Sequence, residues 1–157
     1  MKTAIVYYSY SGNTHRLAQL ILAILKERGE EAVPIRVRPL KEETSFFIQC
    51  KEAFFGKKPE LYKTLLGLKD FDRIILGSPV WAFKPAPAVN AYLDKCSSLN
   101  GKEAIPFITY GSGTGKDKAL LVMKKSLETK GARVLKTMSF QQSESAASCR
   151  EKLKEAL

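Results

Sequence analysis

Ser9-Tyr10-Ser11-Gly12-Asn13-Thr14 gathers three hydroxyls, a carboxamide and a glycine into six residues. These types hold an oxyanion with neutral donors: the hydroxyls donate, and glycine lets the backbone come close. The run before it, Thr3-Ala4-Ile5-Val6-Tyr7-Tyr8, is apolar and β-branched and reads as a buried strand. After it, Leu17, Ala18, Leu20, Ile21, Ile24 and Leu25 recur at helical spacing. The hydroxyls therefore sit between a strand and a helix start, where unpaired N–H groups and the helix dipole already favour an anion. There is no lysine in the loop, which suits a phosphate monoester rather than a metal-bound triphosphate. An ordinary strand-to-helix turn with Ser and Asn as N-caps uses the same residue types.

Two further stretches carry similar residues. One is Gly77-Ser78-Pro79-Val80-Trp81-Ala82-Phe83, running on to Pro87; the other is Tyr110-Gly111-Ser112-Gly113-Thr114-Gly115-Lys116. The second is not a nucleotide loop: G-x-x-x-x-G-K-[ST] fails because Tyr110 holds the first glycine position and Asp117 the hydroxyl position. G-x-G-x-x-G fails because Lys116 stands at the third glycine, and the loop follows a late strand. ATP and dinucleotide binding by these motifs are excluded. Trp81, the sole tryptophan, lies in a proline-rich stretch where a core tryptophan is not expected. It is either an anchor under its own prolines or a flat platform for an aromatic ligand.

The elements that position these loops follow from periodicity. Gly29 closes the first helix as a left-handed cap. Ala32–Val37 is a second strand, and Pro34 puts it at a sheet edge because it cannot donate to a ladder. Strands are also expected at 73–77, 104–110 and 133–140, and helices at about 88–95, around 119–127, and from about 145 to 157, the last polar and frayed. Between 40 and 67 the pattern is least regular. Thr44 or Ser45 can cap a helix carrying Phe46, Phe47, Cys50, Phe54 and Phe55. That phenylalanine-rich segment either packs on the sheet or forms a partly exposed patch for homodimerisation or substrate cover. Strands alternating with helices predict an α/β fold: a parallel sheet with right-handed crossovers and helices on both faces. Ligands of such sheets bind beyond the carboxyl ends of the strands, where all three loops fall.

Composition sets the outer limits. The 157 residues are expected to form one domain, and 45% apolar with 27% charged residues is ordinary for a globular chain. Cys50, Cys96 and Cys149 show no paired spacing, and His15 is the single histidine. A disulfide framework, a metal centre and a histidine triad are not expected, which fits a reducing cytoplasm. No apolar stretch has the length of a membrane span. The net charge is +10, from 26 basic and 16 acidic residues. They are scattered, with no arginine-rich block or nucleic-acid motif, so a solvated basic surface suited to acidic redox partners is expected, and nucleic acid is not.

By these motifs the sequence resembles the flavodoxin family of FMN proteins. Ser9–Thr14 matches its first loop, [ST]-x-[ST]-G-[NT]-T; Gly77-Ser78-Pro79-Val80-Trp81 matches its second; Tyr110-Gly111-Ser112-Gly113 stands in place of its third. The resemblance implies a doubly wound five-stranded sheet in the order 2-1-3-4-5. It implies that Ser9, Ser11, Gly12, Asn13 and Thr14 hold the FMN phosphate, with Tyr10 near the ribityl chain. Ser78, Pro79, Val80, Trp81, Ala82 and Phe83 would line the isoalloxazine, and Tyr110, Gly111, Ser112 and Gly113 would cover its far edge. No catalytic residue and no metal is implied. The expected function is electron transfer, or NAD(P)H-linked reduction of a quinone-like acceptor, with a partner protein or small molecule as acceptor. The competing expectation is a flavin-free binding module acting through protein contact. Family carriers are typically acidic and have glycine where Ala82 stands, so the basic charge and Ala82 depart from the carrier pattern.

Overall fold

A computed structural model describes residues 1–41, 48, 51, 55–56 and 58–157. The expected helix carrying Phe46, Phe47, Cys50 and Phe54 lies outside the described residues.

The chain runs β1 (Lys2–Tyr7), α1 (Asn13–Glu27), β2 (Glu31–Arg36), β3 (Arg73–Trp81), β4 (Lys84–Pro85), α2 (Pro87–Lys95), β5 (Glu103–Tyr110), α3 (Lys116–Thr129), β6 (Arg133–Val134), β7 (Met138–Gln141) and α4 (Ala146–Ala156). The sheet order is β2-β1-β3-β5-β6, with β7 also on β5 and β4 on β3. The named strands of the described residues pair in parallel except in the short β3–β4 hairpin. Taken as five strands, this is the expected 2-1-3-4-5 order, because β4 is an extra hairpin strand and β6 and β7 share the last place. Among the described residues β2 pairs only with β1, so Pro34 stands on an edge strand as its missing N–H requires.

Period-2 alternation divides the core into two layers. Ala4, Val6, Ile74, Leu76, Ala104 and Ile108 face α2 and α3 through Val89, Tyr92, Met123 and Leu127. Ile5, Tyr7, Ile75, Ile105 and Phe107 face α1 and α4 through Leu17, Ile21, Leu25, Cys149 and Leu153. Burial pushes the Cys96 and Cys149 thiols up, and both are free and inert in the interior.

Three elements differ from the sequence reading. β3 continues through Ser78-Pro79-Val80 to Trp81, so this part of the second loop is strand and only Ala82-Phe83 form a turn. Its partner β5 is long enough to pair as far as Pro79↔Thr109, which holds the chain extended. The expected last strand is broken into β6 and β7, because Lys136 and Thr137 make no ladder pairing with β5. The last helix is fastened rather than frayed. Ser145 caps it through the Ser148 N–H, and Cys149 and Leu153 are buried. Arg150 pairs with Glu27, and Arg28 donates to the Lys154 carbonyl at 2.7 Å. Gly29, at φ 73°, ends α1 in the left-handed conformation as expected.

Candidate functional site

The order of strands reverses between β1 and β3, and the three loops meet at the carboxyl ends of β1, β3 and β5. Direct contacts tie them together. Tyr10 meets Trp81 edge-on, with centroids 6.0 Å apart. The Thr14 and Thr109 hydroxyls lie 2.9 Å apart, tying the first loop to β5. The backbone of Gly115 lies against Phe83: a Cβ there would fall 2.5 Å from Phe83 Cδ1 and 2.9 Å from its Cα.

In the first loop Ser9 is buried, and its hydroxyl has no hydrogen-bond partner among the described residues. A buried hydroxyl left unpaired is costly unless a ligand completes it. Its carbonyl accepts from Arg36 at 3.3 Å. Ser11 and Gly12 are exposed, and the Asn13 amide donates to Ser11 Oγ at 3.0 Å. Gly12 is the N-cap of α1 at φ 93°, with open space where a Cβ would stand. No side chain caps the helix, and its first turn holds no acidic residue. The uncapped N–H groups, the positive dipole end and the unpaired Ser9 hydroxyl all belong to this one turn. They fit a phosphate monoester held without a lysine. Thr14 is buried and turned toward Thr109.

Beneath this turn Tyr7 Oη and His15 Nδ1 are 2.7 Å apart. Burial pushes the Tyr7 phenol up, against the opposing charge of Arg36, so it keeps its proton at neutral pH.

In the second stretch the fully buried Ser78 hydroxyl donates to the Pro79 carbonyl and accepts from the Ala86 N–H, both at 2.9 Å. That clasp fixes the hairpin, and the hydroxyl faces inward. Pro79 is buried and Val80 half-buried. Trp81 is 6% exposed and packs edge-on to Tyr8, 5.5 Å away. It is a core residue with only a margin at the surface, contrary to the expectation for a proline-rich loop. Strand pairing with β4 turns it inward. The outward aromatic is Phe83, 47% exposed. Ala82 and Phe83, at φ 45° and 66°, are the non-glycine residues with positive φ among those described. A two-residue hairpin turn demands this conformation. Holding two such residues there costs about 1–2 kcal/mol each, and strain of this kind concentrates at functional sites.

In the third loop Tyr110 is half-buried, and the Lys116 ammonium lies 5.1 Å from its ring centroid. Gly111 and Ser112 are exposed, and Gly113 has φ 81°. The Gly111 carbonyl accepts from Gln141 at 3.4 Å, and the Tyr110 carbonyl from the Gln142 N–H at 2.9 Å.

The three expected stretches thus meet at one rim, with Ser78 and Trp81 buried beneath it and Tyr10, Ser11, Gly12, Phe83, Gly111 and Ser112 exposed on it. Thr109 and Gly115 were not among the expected site residues, although Gly115 lies in a loop expected at this rim. Thr109 was visible as the polar member of an alternating Ile105, Phe107, Thr109 row. Gly115 was hidden in a glycine series with no marker for the one that touches Phe83. No cluster able to hold a metal ion occurs among the described residues, and no helix there is long and apolar enough to cross a membrane.

Comparison with known proteins agrees with this fold. A flavoprotein from Lactobacillus acidophilus, solved in complex with FMN, has 24% identity and a TM-score of 0.74 over 88% of this chain and 92% of that one. Oxidised flavodoxin 1 from Bacillus cereus has 20% identity and a TM-score of 0.69 over 99% and 94%. The two-electron reduced flavodoxin of Megasphaera elsdenii has 25% identity and a TM-score of 0.62 over 98% and 96%. No curated protein matches the sequence. Residues 1–147 match the family described as NADPH-dependent FMN reductase. With a hydroxyl-rich loop at the switch point of a 2-1-3-4-5 sheet and a family match over nearly its whole length, the chain belongs to the NADPH-dependent FMN reductase family, FMN-binding redox proteins of flavodoxin-like fold.

Proposed function

We propose that the chain is a reductase that uses FMN at this rim to pass electrons from a reduced nicotinamide to a small quinone-like acceptor. The observation that carries the FMN site is the buried, unpartnered Ser9 hydroxyl beside the uncapped N-terminus of α1. Ser9, Ser11, Gly12, Asn13 and Thr14 hold the phosphate, and Tyr10 stands by the ribityl chain. Pro79, Val80, Trp81, Ala82 and Phe83 line the ring on a turn that Ser78 clasps, and Tyr110, Gly111, Ser112 and Gly113 cover its far edge. Bound FMN supplies the hydride and electron chemistry. The chain's own work is binding, orientation and access: the dipole of α1 offsets the phosphate charge, and Phe83 and Tyr10 shield the rim from water. No protein acid or base is needed.

The family match and the net charge of +10, which suits an anionic nucleotide, favour the reductase. Likeness to flavodoxins favours a second reading, an electron carrier served by an acidic partner protein. Purified protein should be yellow, release FMN rather than FAD, and oxidise NADPH in the presence of a soluble quinone. Flavin-loaded protein that is reduced by a partner but does not oxidise NADPH supports the carrier. Colourless protein that takes up no FMN overturns both.

A further inference from the structure

We infer that Thr109 is a positioning residue for phosphate recognition: its hydroxyl aims the Thr14 proton at the ligand, and so gives the site its preference for a phosphorylated flavin. The inference rests on the FMN reading above. Its ground is the pair of hydroxyls, 2.9 Å apart, on residues 1% and 2% exposed. Thr109 follows Ile105 and Phe107 on the face of β5 that packs against α1, between Pro79 on β3 and Phe140 on β7. Every neighbour in that row is apolar, and valine would fill the same volume. A hydroxyl here is unfavourable unless bonded, and its bond goes to the one loop that receives a phosphate.

Hydroxyl bookkeeping gives the direction. Each threonine has one proton, and only one is used in their mutual bond. In the isolated pair either can donate. An anion at the α1 N-terminus draws the Thr14 proton outward, so Thr109 must donate to Thr14. The result is a chain from Thr109 to Thr14 to phosphate, in which each bond strengthens the next. The unpartnered Ser9 hydroxyl in the same loop independently marks the place of the missing acceptor.

The test compares FMN with riboflavin, which lacks the phosphate, on apoprotein of the full chain. Dissociation constants are measured by flavin fluorescence for wild type, Thr109→Val, Thr109→Ala and Thr109→Ser. The expected result is that Thr109→Val weakens FMN several-fold, up to about tenfold, the scale of one hydrogen bond between neutral groups, and leaves riboflavin within about twofold. Thr109→Ser restores the FMN preference. Thr109→Ala serves in place of the valine variant should that chain not fold. In the double variant with Thr14→Val, the combined loss should be smaller than the product of the two single losses. Equal weakening of both flavins means a merely structural role and overturns the inference, as does an unchanged FMN constant or a serine variant that fails to restore it. Wild-type protein that binds neither flavin defeats the FMN reading itself, a result distinct from one in which wild type prefers FMN and the variants do not differ.

Discussion

Replacing Gly115 by alanine tests whether the second and third loops are mechanically joined. Gly115 has φ 81°, where an L side chain costs about 1–2 kcal/mol. A methyl there also lands 2.5 Å from Phe83 Cδ1 and 2.9 Å from Phe83 Cα. The ring can swing, but the Cα belongs to a turn fixed by the Ser78 clasp, so backbone must shift at an overpacking cost of about 1–3 kcal/mol. The two terms together give about 2–5 kcal/mol. Gly113 is the control, with the same φ of 81° but its nearest neighbour, Tyr110 Cε2, at an ordinary 3.6 Å. Gly113→Ala should cost only the backbone term, about 1–2 kcal/mol. Each kcal/mol moves the midpoint of a domain this size by about 2–4 °C, so the gap is readable in a thermal melt and in the urea midpoint at constant slope. Phe83→Gly in the Gly115→Ala background should recover part of the loss, since it relieves the clash with the ring and leaves the clash with the residue 83 backbone. Equal costs for the two glycines, within about 0.5 kcal/mol, would refute the collision.

Three further outcomes are expected. Ser9→Ala should lower FMN affinity by about 1.5–3 kcal/mol while leaving apoprotein as stable as wild type or more so, because the hydroxyl it removes is buried and unpaired; destabilised apoprotein counts against the idea. Burial opposes ionisation of Glu144, but hydrogen bonds from Lys152 and Ser148 outweigh it and hold the carboxyl below its ordinary range. A depressed acid stabilises above its unfolded value near pH 4.3 and loses that contribution as pH falls through the folded value, so Glu144→Gln should be less stable near pH 6 and converge with wild type once the pH falls below the folded value. Arg73, 4% exposed, pairs with Glu30 at 2.7 Å and donates to Thr3 Oγ1 at 3.2 Å. Glu30→Ala should cost about 3–5 kcal/mol by urea unfolding, whereas Arg73→Met with Glu30→Leu should be near neutral.

The strand, turn and helix around the first loop and the edge place of the second strand were legible because each rests on local signals: the hydroxyls of Ser9, Ser11 and Thr14 between two periodic runs, and a proline that only an edge strand tolerates; the full strand order came from the family resemblance. What was not legible depends on partners distant in sequence. The burial of Trp81 comes from pairing with Lys84 across a turn whose residues, Ala82 and Phe83, are not turn formers. Nothing local marks them for positive φ; the hairpin imposes it. The fastening of the last helix likewise comes from Glu27, more than a hundred residues away, while the helix's own face is largely polar. Thr109 reads as one more strand threonine until the fold brings Thr14 to it.

The broken last strand has a consequence for how these molecules meet one another. A parallel sheet open at both sides presents rows of backbone donors and acceptors that a second copy could extend. Here one border strand carries Pro34, which offers no N–H, and the other is two short pieces, Arg133–Val134 and Met138–Gln141, interrupted at Lys136 and Thr137. Lys136 bends away to donate to the Glu155 carbonyl at 3.1 Å, and Arg133 pairs with Glu103. Among the described residues neither border is a continuous template, so extension of the sheet by a second copy is obstructed on both flanks.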